Sequence, residues 1–223
     1  MSTPPAFFCG AVKTALERID WPDRPEIAWG TVGALRDRIL AGERPAVTIL
    51  SEPALETLAI RGIIRRGTIL PLGRAGTGLA VRDGAPRKPI GTPGQLAAAL
   101  LAARSIGWAD ASSGATAGKH FEGVIETLGI AAEVRAKARL FRFGVEAVAA
   151  CGRDEVELAV SQVTEILGRP GVSLLGELPP PHALSTGYAA APVEQGAAAD
   201  AAMRVLAAPA TRKVLAAIGF ATA

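Results

Sequence analysis

The chain has 223 residues, and 24 Lys and Arg against 21 Asp and Glu leave a net charge of +3. That length suits one large domain or two smaller lobes, and 49% hydrophobic with 20% charged residues excludes a disordered chain. Aromatics at 4% are too few for stacking platforms on single-stranded nucleic acid, and no apolar run approaches the ~20 residues of a membrane span.

Ala6–Cys9 reads as a strand cut by Gly10, and Val12–Ile19 as a helix with Val12, Leu16 and Ile19 on one face. Glu26–Trp29 is a second strand, followed by Gly30-Thr31-Val32-Gly33 and a helix marked by Leu35, Ile39 and Leu40. Ala46–Leu50 is a third strand, and Ser51-Glu52-Pro53 opens the next helix. This β-α-β-α-β rhythm predicts a parallel sheet covered by helices. Ile69–Arg82 is extended and glycine-punctuated, and Asp83–Pro89 has the composition of a linker. Thr92-Pro93-Gly94-Gln95 caps a helix to Ala103, and Ser105–Ala109 is a strand leading through a glycine-rich turn into a helix at His120–Leu128. Val134–Lys137 and Val145–Cys151 continue the pattern, with strands at Leu158–Val160, Val172–Leu175 and Gly187–Ala191 and helices at Ala197–Leu206 and Thr211–Ile218. Breaks near residues 83 and 180 divide the chain into first part, inserted middle and tail. The expected lobes are 1–80 with 186–223, and 81–185.

Cys9 and Cys151 form no CxxC and sit among apolar residues, as buried free thiols do. Two histidines cannot supply a His-rich metal site, and no cofactor motif is present. The N-terminal residues lack a charged n-region and a long apolar h-region, so as written the chain is expected in the cytoplasm; a leader lost from the start would make it periplasmic. Turns entering helices at Gly10–Val12, Gly30–Gly33 and Ala111–Gly118 fit the rule that open sheets bind ligands at strand C-termini, where helix N–H groups attract anions. The third turn nearly spells a P-loop, but Ser113 stands for the first glycine and His120 for the Mg²⁺-binding hydroxyl, so an anion cradle remains and an NTPase does not. Ser161-Gln162 at the end of a strand, and Arg74 and Arg82, are further candidates for contact with an anion. His120, with Lys119 beside it, is the candidate for proton transfer.

Several segments resemble the molybdate-type solute-binding proteins of ABC transporters. Gly30–Leu35 followed by Ala41–Val47 is similar to their Ser/Thr-Gly turn and "AGxPADV" stretch, Asp110–Gly118 to their "DPASxPAG" loop, Val156–Val160 to their "GEADAG" strand, and Ala210–Phe220 to their closing "IL…GF" helix. The resemblance implies an α/β, two-lobe periplasmic-binding type II fold, each lobe a mainly parallel sheet flanked by helices and joined by two crossing strands, closing on a small anion held at Gly10-Ala11-Val12, Thr31-Val32-Gly33, Ser112-Ser113-Gly114 with Thr116, and Ser161-Gln162. It implies an ABC permease as partner if the chain is exported, with no nucleic acid, membrane insertion, metal or cofactor. Ala11 stands where that family places a ligand serine, and its second-lobe tyrosine position either holds Ser161 or is not filled. The wider group includes aconitate isomerase-like members, so an isomerase of small polycarboxylic acids stays beside the binding protein, as does an anion-sensing domain.

Overall fold

The computed structural model describes residues 4–221. Its strands are β1 (Ala6–Cys9), β2 (Ile27–Gly30), β3 (Val47–Ser51), β4 (Leu70–Arg82), β5 (Ile106–Ala109), β6 (Ala138–Phe141), β7 (Leu158–Gln162), β8 (Val172–Glu177) and β9 (Ser185–Pro192). Its helices are α1 (Lys13–Leu16), α2 (Val32–Leu40), α3 (Glu52–Ile60), α4 (Pro93–Ala102), α5 (Thr116–Thr127), α6 (Ala131–Arg135), α7 (Gly144–Gly152), α8 (Val163–Ile166), α9 (Ala197–Ala207) and α10 (Pro209–Ala217). The chain forms two compact units, one running to Ala75 and resuming at Thr186, the other Gly76–Ser185. The first crossing falls earlier than the sequence placed it, because β4 runs unbroken through it.

In the first unit β2, β1 and β3 are parallel neighbours and β9 pairs with β3 antiparallel. Alternation along β1 divides its side chains between two cores. Phe8 joins Cys9, Val12, Leu16 and Ile49 with Leu206 and Leu215 of the C-terminal helices. Phe7 packs with Leu35, Ile39, Leu50, Leu55 and Leu58, on the side of α2 and α3. Both rings are almost wholly buried, each contributing roughly 1.5–3 kcal/mol.

In the second unit β5 pairs parallel with β6 and with β7, and β4 lies antiparallel to both β7 and β8. One face carries Leu79, Val81, Trp108, Leu158 and Val160 against Leu96, Phe121 and Ile125 of α4 and α5. The other face is lined by small residues, Ala80 and Ala159, and meets Ala147, Val148, Ala150 and Cys151 of α7. Each sheet is flanked by helices on both faces, the expected α/β architecture, with β9 in the first unit and β4 in the second running antiparallel to their neighbours.

Three local expectations change. β6 is absent from the sequence reading because it is a four-residue strand with Arg139 and Leu140 exposed, so it shows no apolar run. Helix α5 begins at Thr116, not His120, and β7 continues through Ser161 and Gln162 instead of ending before them.

Candidate functional site

Strand register decides which loops gather. In the first unit Cys9 pairs with Gly30 and Phe8 with Ile49, so Gly10–Val12, Thr31–Gly33 and Ser51–Glu52 emerge at one edge. Gly10–Val12 is a 3-10 turn with Ala11 and Val12 buried. Just beyond it the Thr14 hydroxyl, also buried, has no hydrogen-bond partner. Thr31 caps α2, its Oγ1 accepting the Ala34 N–H at 3.2 Å, which commits one face of that hydroxyl to the helix and leaves Val32 and Gly33 in its first turn. Arg74 reaches the same edge: its Nη1 lies 3.3 Å from Oε2 of Glu52, in the first turn of α3. The Glu52 carboxylate also covers Gly187, where a Cβ would overlap it and sit 2.7 Å from Oε1. Cation and carboxylate are both half-exposed.

In the second unit Trp108 pairs with Val160 and Ala109 with Phe141, so Asp110, Arg142 and Gln162 share an edge. The Asp110 N–H donates to the Phe141 carbonyl at 2.8 Å, tying the two loops together. Asp110 organises its own turn: its carboxylate accepts the Ser112 N–H at 2.9 Å and its carbonyl accepts the Ser113 hydroxyl at 2.7 Å. The Ser112 N–H bond holds the Asp110 carboxyl below the usual range. Gly114 supplies the left-handed residue, φ 76°, that turns the chain into α5. Two donors expected to face a ligand, the Ser112 N–H and the Ser113 hydroxyl, are therefore engaged within the loop. The P-loop-like glycine has a packing role as well. A Cβ at Gly118 would overlap the Ala109 carbonyl oxygen and lie 3.0 Å from its carbon, so this glycine lets α5 rest on β5. The first turn of α5 keeps Thr116, half-buried, at the edge.

Ser161 and Gln162 point to opposite faces, as neighbours on a strand must. Ser161 donates its hydroxyl to Glu165 in a short buried hydrogen bond, on the α7 face beneath Gly144. Burial pushes the Glu165 carboxyl up, against the Ser161 hydroxyl, the Gln162 N–H and the Arg169 charge. Ser161 is thus bound to its own helix turn. Gln162 faces the other way and is 3% exposed, with neither Oε1 nor Nε2 hydrogen-bonded. Its register partner Thr77, 1% exposed, and Thr164, 0% exposed, likewise have unpaired hydroxyls.

Arg82 is a correction. β4 is antiparallel to β7, so Val81 lies opposite Leu158, at the start of β7, while Thr77 lies opposite Gln162 at its end. Five residues at about 3.4 Å each put Arg82 roughly 17 Å along the strand from the loop edge. There it lines a pocket of about 270 Å³ with Lys88, Arg104, Asp154 and Glu157, and approaches Asp154 to 3.9 Å. His120 bonds through Nε2 to the His182 carbonyl at 2.8 Å, so that nitrogen donates to the backbone. Lys119 is exposed in the first turns of α5. No contact joins Lys119 or His120 to Asp110, Ser161 or Gln162 among the bonds of the described residues.

The sequence reading missed Arg142, exposed at the end of β6 with its guanidinium 5.1 Å from the Phe143 ring centre, and also missed Glu52, Thr77, Gly144 and Glu165. Among the described residues no three His, Cys, Asp or Glu side chains gather as a metal site would require, and no helix is long and apolar enough to cross a membrane.

Residues 23–221 match the family described as bacterial extracellular solute-binding protein, and the chain belongs to that family. The periplasmic molybdate-binding protein of Azotobacter vinelandii superposes with a TM-score of 0.78 over 99% of each chain, at 16% identity. The L-phospholactate-bound Peb3 protein of Campylobacter jejuni superposes at 0.69 over 99% of this chain and 100% of its own, at 12% identity. At those identities the likeness establishes the fold, the periplasmic-binding type II architecture. An aconitate isomerase from a Pseudomonas species is 27% identical over 177 residues, 79% of this chain. The match takes in 66% of the isomerase, so the chain spans a little under two thirds of that relative.

Proposed function

We propose that the solute is a small organic anion carrying more than one carboxylate, bound reversibly, with an ABC permease as the partner that receives it. The observation that carries this reading is the pairing of one arginine with helix N-termini at the loop edge of each unit: Arg74 beside α3, and Arg142 beside the start of α7. A guanidinium offers a fork of donors matched to a carboxylate. Each edge also carries a carboxylate, Glu52 in one unit and Asp110 in the other, which opposes a compact dianion. With Ala11 in place of a hydroxyl and the Ser112 N–H and the Ser113 and Ser161 hydroxyls engaged internally, the donor set is depleted for a bare tetrahedral oxyanion, which needs nearly all its oxygens bonded when buried. A carboxylate suits the guanidinium fork at either edge better than a compact dianion does.

A thermal-shift panel of tricarballylate, cis- and trans-aconitate, citrate, molybdate and sulfate tests this. Ligand at a hundred times its Kd adds about 2.7 kcal/mol, a rise of roughly 5–11 °C for a chain of this size. Stabilisation by polycarboxylates is the expected result. Stabilisation by molybdate or sulfate alone overturns it.

The similarity to an aconitate isomerase favours a second reading, proton transfer on a tricarboxylate. The engaged Nε2 of His120 and the exposed Lys119 speak for binding over chemistry. Proton NMR of cis-aconitate with the protein decides, since growth of the trans isomer belongs only to the enzyme.

A further inference from the structure

Gln162 and Thr77 sit opposite one another on β7 and β4. They continue the rows Leu158-Val160 and Leu79-Val81, which face α4 and α5. They therefore lie at the edge where α5 begins, on the same face as that helix. Between them they hold three unpaired polar atoms, Gln162 Oε1, Gln162 Nε2 and Thr77 Oγ1, all buried. The Thr77 backbone is already satisfied by Leu178 and Leu184, so the lack is confined to side chains. A buried amide with both ends unbonded is costly, and a ligand that reaches it breaks no existing bond.

The chemistry of the three atoms differs. Nε2 and the threonine hydroxyl can donate to a carboxylate, but Oε1 only accepts. A fully ionised anion, whether molybdate, sulfate or a plain polycarboxylate, has nothing to give it. Resting on the proposal that the solute is a polycarboxylate, we infer that Gln162 and Thr77 form a subsite that reads a hydroxyl on that solute, so that the preferred ligand is a hydroxycarboxylate. The carboxylate accepts from Nε2 and Thr77 while the adjacent hydroxyl donates to Oε1.

Isothermal titration at pH 7.5, where carboxylates are ionised and the hydroxyl is the remaining O–H, compares citrate with tricarballylate and malate with succinate. Each pair differs by one hydroxyl. A site built around a substrate hydroxyl rejects the analogue lacking it, and the expected preference is at least about tenfold for the hydroxy acid. Gln162→Met, close in length but apolar, erases the preference while tricarballylate still binds, and raises the melting temperature of the empty protein. Equal affinities within both pairs overturn the inference and leave the polycarboxylate reading standing. Binding of no carboxylate at all overturns both. A lowered melting temperature of Gln162→Met with the preference intact means that buried water serves the amide, and also overturns the inference. Should Gln162→Met fail to fold, Thr77→Val and the wild-type pairs carry the test.

Discussion

Replacing Gly144 by alanine separates propensity from packing in this fold. In most helices the change gains up to about 1 kcal/mol, and less at the first helical residue, where Gly144 stands. Here the added Cβ would overlap the Ser161 hydroxyl and lie 2.5 Å from Oε2 of Glu165. Both groups are buried and bonded to each other, so neither can swing into solvent. The structure must break that hydrogen bond, at roughly 1–3 kcal/mol for buried partners left unpaired, or lift α7 from the alanine-lined sheet, at roughly 1–3 kcal/mol for overpacking. Only one response is needed, so with a propensity gain of about 0.5 kcal/mol at the helix start the net loss is about 0.5–2.5 kcal/mol, or a fall of roughly 1–10 °C in Tm. Urea denaturation should show a lower midpoint with an unchanged slope. Gly123→Ala is the matched control: it lies inside α5 with nothing within 4 Å of the added Cβ, and should gain a few tenths to 1 kcal/mol. If Gly144→Ala matches or exceeds the wild type while Gly123→Ala gains as expected, the contact between Gly144 and the Ser161–Glu165 pair does not constrain the fold.

Glu165→Gln should alter the pH dependence of stability. Burial raises the folded pKa above the unfolded value, so the contribution is fully present below the unfolded pKa and is lost as pH rises through the folded one; the glutamine variant, followed by urea unfolding across that range, should lack this decline. The Cys151 thiol is pushed up to about 11, chiefly by burial, leaving only about one part in a thousand as thiolate at pH 8. Both cysteines are buried, so Ellman's reagent should react with neither in the native protein and with both after unfolding. Thr31→Ala removes the α2 cap and should cost about 1 kcal/mol in urea unfolding. Glu52→Gln removes a carboxylate competing for Arg74 and should tighten carboxylate binding several-fold at low salt, an advantage that fades at high ionic strength; weaker binding would show instead that Glu52 orients the guanidinium.

The strands were legible because their cores write themselves as apolar runs closed by small residues: Ala6–Cys9, Ala46–Leu50 and Leu158–Val160 each lie within or one residue off a strand of the structure. β6 was not, because an exposed edge strand buries too little to leave a pattern. The site was harder for a different reason. Arg82 and Thr77 lie on one strand, and only its antiparallel register with β7 decides which end meets the loop edge. Sequence carries the strand but not the pairing. Arg142 was lost with β6, whose end it marks.

The turn Asp110–Gly118 illustrates why a motif is weaker than the geometry around it. As letters it advertises small residues, hydroxyls and a glycine before a lysine, all features of an anion cradle. In the folded chain its Ser112 N–H and Ser113 hydroxyl serve Asp110, which brings a negative charge, and Gly118 serves the contact between α5 and β5. Each residue is chosen for a local demand that the same letters also satisfy. On the reading proposed above, discrimination among anions falls to groups the motif does not contain: an arginine at the loop edge of each unit, and the neutral Gln162 and Thr77, whose unmet hydrogen bonds ask for more than charge. A neutral amide costs far less to bury than an ion, so on that same reading it remains in the empty protein at tolerable cost and still rejects a ligand that lacks its complement.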